Sequence, residues 1–190
     1  MAIVLASQSP RRQELLARIG VEDFKTLSLD IDESYPEGLS PEDTVRYIAK
    51  KKCDAAAALC SPDDLIITAD TMVFLGNDRL GKPHDEEDAL RMLRALSGRG
   101  HTVCTGVSVR RGAQEERFAV STRVFFRPMT DDEIRAYIKT GEPMDKAGAY
   151  GVQSRGALFV ERIDGDFFNV MGLPVEQLGL VLARFGVKLL

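Results

Sequence analysis

The 190-residue sequence contains no tryptophan, only two histidines and only three cysteines, and these scarcities exclude several chemistries at once. Cys53, Cys60 and Cys104 are odd in number and form no Cys-x-x-Cys pair, which argues against a disulfide framework or a zinc ribbon. Cys53 and Cys60 read instead as small core residues. His84 and His101 stand far from any serine or cysteine constellation, so neither a catalytic triad nor a transition-metal set is expected. No uncharged apolar run approaches the ~18 residues that a membrane span requires. The N-terminal apolar run precedes Arg11 and Arg12, the wrong order for a secretory signal, so a cytoplasmic protein is expected. Positive charge is also in short supply. The 25 Lys+Arg against 29 Asp+Glu leave a net charge of −4, without the basic face of a protein that coats nucleic acid. A local cationic cluster holding a small anion stays compatible with that balance.

What is present is an ordinary globular composition, 44% hydrophobic and 28% charged, and one domain over residues 1–190 is expected. Periodicity alternates strands and helices. A short apolar run at 3–6 reads as a buried strand, and Pro10 opens a helix with Leu15, Leu16 and Ile19 inward and Gly20 as its stop. A strand is predicted over 24–29. Ser40-Pro41-Glu42-Asp43 starts a helix whose stripe is Val45, Ile48, Ala49, Cys53 and Ala56. Two apolar runs, 65–69 and 71–75, are split by Asp70 and followed by a turn at Gly76-Asn77-Asp78. A helix is predicted over 85–96, a hairpin of strands 102–110 and 117–126 around Gly112, and a Thr130-capped helix through about Lys139. A strand over 158–163 and a last helix opened by Pro174, with Leu178, Val181, Leu182 and Phe185 inward, complete the chain. The pattern predicts an α/β or α+β fold around a mixed sheet, and leaves the number of lobes open.

Four places carry chemistry. Ser7-Gln8-Ser9-Pro10-Arg11-Arg12, between a strand and a helix, offers hydroxyls, guanidinium groups and helix-start N–H groups to a phosphate; a plain cap with solvated arginines uses the same residues. No Gly-x-x-x-x-Gly-Lys-Ser/Thr loop is present, which excludes a P-loop NTPase. Asp70 ends a buried apolar run, where a carboxylate must be solvated, paired or metal-bound; a turn aspartate between two strands is the alternative. Lys52 on a helix and Lys82 between Gly81 and Pro83 add cations, while Asp32-Glu33 offers oxygen ligands to a hard cation. The segment from Glu142 to Gln153 is expected to wrap a planar ligand, with Tyr150 presenting a ring face and Gln153 a donor and an acceptor to a base edge; a glycine-bearing surface loop is the alternative.

Each signal is weak by itself, but their order is specific. Ser-Gln-Ser-Pro-Arg-Arg, Asp32-Glu33, Ala69-Asp70-Thr71, Gly81-Lys82-Pro83, Leu96-Ser97-Gly98 with His101, Asp145-Lys146-Ala147-Gly148-Ala149-Tyr150-Gly151-Val152-Gln153 and Gly172-Leu173-Pro174 follow in turn. The series resembles the Maf family of nucleoside triphosphate pyrophosphatases over essentially the whole chain. The resemblance implies an α/β, inosine-triphosphatase-like fold, a mixed twisted sheet flanked by helices with two lobes around a cleft, and hydrolysis of a nucleoside triphosphate to the monophosphate and pyrophosphate. Within the family, the Asp-Lys-Ala-Gly-Ala-Tyr-Gly loop is similar to the branch acting on dTTP and UTP, rather than the 7-methyl-GTP branch. By position, Asp70 matches the catalytic acid, and Arg11, Thr71 and Gln153 the substrate-selecting residues. Ser7, Arg12, Lys52 and Lys82 match phosphate-binding residues, and Glu33 with Asp70 the ligands of a divalent cation (Mg, Mn or Co).

The resemblance further implies a homodimer and a house-cleaning role on pyrimidine triphosphates, modified ones included. Two small departures are visible: Cys53 stands where alanine is common, and the residues before Gly172 read Asp-Phe-Phe-Asn-Val-Met. Two other functions fit part of the pattern. One is a pyrophosphatase of the same family acting on 7-methyl-GTP or CTP. The other is a non-enzymatic binding protein regulating septum formation, for which the sequence offers no basic arm, coiled coil or amphipathic membrane helix.

Overall fold

Why the chain folds as it does is clearest from its buried stripes. In the computed structural model, which describes residues 1–190, the run Ile3–Leu5 forms β1 and buries Val4 and Leu5. Pro10 opens α1 (Pro10–Arg18) at the first helical position, where a missing N–H costs nothing, and Leu15 and Leu16 turn inward. β2 is shorter than the sequence predicts: only Phe24–Thr26 pairs with β1. Beyond it Leu27 and Leu29 pack, with Cys60, against the cluster of Ala6, Cys53, Ala56 and Ile66, which places both cysteines in or against the core as expected.

In α2 (Pro41–Ala57), the Ser40 hydroxyl accepts the Asp43 N–H, and Val45, Ile48, Ala49, Cys53 and Ala56 are fully buried. One buried aliphatic side chain contributes roughly 1.5–3 kcal/mol against ~1 for a cap, so the stripe decides which face turns inward. β3 (Leu65–Leu75) is a single 11-residue strand that runs straight through Asp70, which corrects the expectation of two runs split there. β4 (Asp78–Leu80) folds back antiparallel on β3 after the turn at Gly76, pairing Leu80 with Val73. α3 (Glu86–Leu96) is capped by Asp85. β5 (Gly100–Arg111) outruns its predicted strand at both ends, and β6 (Gln114–Phe126) starts earlier than predicted and ends where predicted. α4 (Asp131–Ile138) starts on a capping box of Thr130 and Glu133.

Three short 3-10 turns follow within residues 142–159. Then come β7 (Val160–Asp164), a short helix α5 (Phe167–Met171) that the sequence pattern did not announce, and α6 (Val175–Arg184). Leu178, Val181, Leu182 and Phe185 are buried, as predicted.

The hydrogen-bonded strand order is β2-β1-β3-β5-β6-β7, with β4 paired to β3. β1 is parallel to β2 and β3, and β7 is antiparallel to β6, so the sheet is mixed, as expected, and open. The chain divides into two compact units. Residues 1–70, 105–120 and 172–190 form the first; residues 71–104 and 121–171 form the second. No helix is long and apolar enough to cross a membrane.

The second unit centres on an aromatic cluster. His101 lies edge-on to Phe126 and Tyr150, with ring centroids 4.9 and 5.4 Å away, and its Nε2 is 2.8 Å from the Tyr150 hydroxyl. Tyr150 is thus a core residue, 5% exposed, and not the ligand-facing ring expected from its loop. Its aromatic neighbours come from sequence positions far from that loop, so local pattern did not reveal them. His101 Nδ1 is buried without a partner, and burial pushes the imidazole pKa down to about 4. The unfolded chain therefore binds a proton between pH 6.5 and about 4 that the folded chain refuses. Stability on this account is full above pH 6.5 and falls with pH until about 4, by on the order of 3 kcal/mol. Urea unfolding at pH 7 and pH 4 should show that loss in the wild type and a smaller one in His101→Gln. Equal losses would show that His101 does not carry it.

Candidate active site

The first unit gathers most of the predicted site where two parallel strands run side by side. β1 stops at Leu5, opposite Ile67, while β3 continues to Asp70, so the turn at Ser7 lies where the longer strand outruns the shorter. Ends of parallel strands in open sheets are where ligands gather. The Ala6 N–H donates to the Ile67 carbonyl at 2.9 Å and ties that turn to β3. The following helix start has neither a side-chain cap at Ser9 nor an acid in its first turn, which leaves its positive end suited to an anion.

Asp70 is 6% exposed. Its Oδ1 accepts a hydrogen bond from Lys52 Nζ at 2.8 Å, and its Oδ2 is buried with no partner. A buried carboxylate oxygen without a protein partner is costly, so Oδ2 is suited to pair with a water, an ion or a substrate group. Lys52 Nζ also lies 2.8 Å from Glu33 Oε1, so one ammonium bridges two carboxylates from separate segments.

Local structure explains that placement. The Thr68 hydroxyl donates to the Ala49 carbonyl at 2.6 Å and clamps β3 to α2 one turn before Lys52. Gly106 lets α2 press directly on β5: a Cβ there would stand 2.3 Å from the carbonyl carbon and oxygen of Val45. Asp32 closes a turn onto the Ser34 N–H at 2.9 Å and its hydroxyl, and Lys51 reaches the same carboxylate at 3.3 Å. Hydrogen bonds from Ser34, then Lys51, hold the Asp32 carboxyl down at about 2. Of the Asp32-Glu33 pair, then, Asp32 is committed to the turn and Glu33 alone meets Lys52.

Arg12 ties the segments together. Its Nε donates to the Gly172 carbonyl at 2.8 Å, and its Nη1 to the Ala69 carbonyl at 2.9 Å and to the Ser7 hydroxyl at 3.3 Å. Burial lowers the guanidinium pKa, and the neighbouring Asp70 charge works against that shift. Arg11 follows Pro10 on α1, half-buried.

Ser7, Arg12, Glu33, Lys52 and Asp70 are therefore brought together within one unit. Thr71, Lys82 and Gln153 belong to the second. Thr71 is half-buried, while Lys82 and Gln153 are exposed, with Lys82 beside the buried Pro83. The Gly148 N–H donates to the Gly81 carbonyl at 3.0 Å, so the segments bearing Lys82 and Gln153 are joined. Sequence reasoning named Gly172 only within its motif, without the bond its carbonyl accepts from Arg12, and it missed Thr68 and Gly106. Only Gly106 left a signal, an isolated glycine inside an apolar strand pattern.

Comparison with known proteins agrees with this architecture. The profile of the family described as Maf-like protein matches residues 2–185. A dTTP/UTP pyrophosphatase of Bacillus velezensis is 47% identical over 186 residues, covering 98% of this chain and 97% of the relative. Proteins of the same name from Pelotomaculum thermopropionicum and Bacteroides thetaiotaomicron are 46% and 45% identical, covering 99% and 93% of this chain and 98% and 92% of theirs. A solved HAM1 protein from Coxiella burnetii shares the fold at a TM-score of 0.56 and 14% identity, over 97% of this chain and 99% of its own.

Proposed function

Because the chain belongs to the Maf-like protein family, we propose that it hydrolyses dTTP and UTP, modified pyrimidine triphosphates included, to the nucleoside monophosphate and pyrophosphate. The observation that carries the mechanism is the buried Asp70 carboxylate, paired on one oxygen and unpartnered on the other.

Asp70 Oδ2 orients a water and takes its proton as the water oxygen attacks the α-phosphorus. The bond from that phosphorus to the bridging oxygen of the β-phosphate breaks, and pyrophosphate leaves. Lys52, Arg12 and Lys82 balance the charge that builds on the leaving group, while Ser7 and the start of α1 donate to phosphate oxygens.

Two cationic and two anionic side chains at the first-unit cluster sum to no net charge, so a bound triphosphate calls for a further cation beside Lys52 and Arg12. Glu33 and Asp70 offer hard carboxylate oxygens from two separate segments, a donor set that fits a divalent cation such as Mg, Mn or Co, which these two residues would hold beside the phosphates. Bound there, such a cation would supply positive charge against the phosphates and Lewis acidity beside the reacting phosphorus. Gln153 and Thr71, with Arg11, read the O2, N3 and O4 edge of the pyrimidine. A cytoplasmic homodimer, with the whole chain as its catalytic domain, belongs to the same reading, and sedimentation tests the dimer.

The deciding experiment is a nucleotide panel assayed for pyrophosphate release with and without added divalent cation. dTTP and UTP should head the panel, with no orthophosphate unless inorganic pyrophosphatase is added. Preference for 7-methyl-GTP or CTP would move the protein to another branch, and direct orthophosphate release would make it a phosphatase.

A further inference from the structure

We propose that Glu142 is a positioning residue for nucleobase selection, acting through the backbone on both sides of Gln153; this rests on the reading that Gln153 contacts the base. Glu142 is half-buried at the start of the segment. Its Oε1 accepts the Tyr137 hydroxyl at 2.7 Å and the Gly156 N–H at 3.2 Å. Its Oε2 accepts the Arg155 N–H at 3.3 Å, and the Ser154 side chain is a further hydrogen-bond partner. The Tyr137 oxygen in turn accepts the Gly151 N–H at 3.1 Å.

Positions 151, 154, 155 and 156 are thus all tied to one carboxylate or to the phenol it holds, and Gln153 projects from between them, exposed. The loop is also closed sterically. A Cβ on Gly156 would stand 2.5 Å from the Gly151 carbonyl oxygen and 2.8 Å from the Tyr137 hydroxyl. Tyr137 is itself fixed, 4% exposed on α4 with its ring edge-on to Phe159 at 5.1 Å.

A solvated surface acid has no use for so many donors. Burial works to raise the Glu142 pKa, yet the bonds from Ser154, Tyr137, Gly156 and Arg155 outweigh it and keep the group below its ordinary value. Holding the loop charged and closed before substrate arrives removes the ordering that Gln153 would otherwise undergo on binding a base. The phosphate groups are held by other residues, so the effect falls on base recognition.

The test compares Glu142→Gln, Gln153→Ala and the double variant on dTTP, UTP and 7-methyl-GTP. Glutamine keeps the size of Glu142 but turns an amide NH2 toward groups that already donate. Each single variant should lose about tenfold in discrimination between dTTP and 7-methyl-GTP, the equivalent of one hydrogen bond, mainly through KM for dTTP. The double variant should lose no more than either single one. Tyr137→Phe, which removes only the hydroxyl, should reproduce the Glu142→Gln effect if the latter folds poorly. If Gln153→Ala lowers discrimination but Glu142→Gln and Tyr137→Phe do not, or the losses multiply, Glu142 is merely structural and the proposal fails. If Gln153→Ala leaves discrimination unchanged, the base-reading role of Gln153 fails first and this proposal with it.

Discussion

Asp70→Asn is expected to lower kcat by about 10²–10⁴, the range for losing a positioned base, while nucleotide binding stays measurable. Asparagine retains the size of the side chain and can keep an oxygen toward Lys52 Nζ, which sits 2.8 Å from Oδ1 in the wild type. What it loses is the capacity of the second oxygen, buried and unpartnered, to accept a proton. Lys52 keeps its other contact, Glu33, so the cation at the cluster stays paired. Removing one negative charge beside a polyanion site also works in favour of binding, so a fall in kcat with an intact Kd separates chemistry from affinity. Steady-state kinetics and calorimetric titration with dTTP check both halves. Retention of most of the wild-type kcat would take the catalytic role away from Asp70.

The second large effect is expected at a residue with no reacting group, Gly106. Non-bonded carbon atoms rest about 3.5–4.0 Å apart, whereas a Cβ at this position would meet the Val45 carbonyl carbon and oxygen at 2.3 Å and the Arg46 nitrogen at 2.6 Å. The obstacle is backbone, which cannot swing aside as a side chain does. In Gly106→Ala, α2 must therefore lift from β5 by about 1 Å, carrying Lys52 away from Asp70. Overpacking of this kind costs typically 1–3 kcal/mol of stability. A 1 Å misplacement of catalytic groups costs about 10²-fold in rate, so kcat/KM and Tm should fall together. Wild-type activity in a variant with a clearly lower Tm would show that α2 does not need this contact to place Lys52.

These two residues also show how far local pattern reaches. The stripes of α2 and α6 and the hairpin around Gly112 were legible, because burial periodicity and turn chemistry are local properties. Asp70 read as a break in an apolar run, yet β3 continues through it, because the partner that lets it stay buried is Lys52 on another element. Glu33 and Lys52 stand in the sequence as an oxygen donor and a cation with nothing to pair them, for the same reason: each acquires meaning only through the other. For Tyr150 the local pattern errs in the opposite direction and points the ring at a ligand, because His101 and Phe126, which bury it, lie far away in sequence. The ordered series of motifs, rather than any one of them, is what collected the site residues. Glu142 stayed out of view, since nothing in Gly-Glu-Pro distinguishes a hub from a surface turn.

The claim on which the account depends is that water attacks the α-phosphorus and pyrophosphate departs intact. Hydrolysing dTTP in oxygen-18 water and weighing both products by mass spectrometry tests it directly. The account predicts one labelled oxygen in dTMP and none in pyrophosphate. Label in the pyrophosphate would place the attack at the β-phosphorus and contradict it.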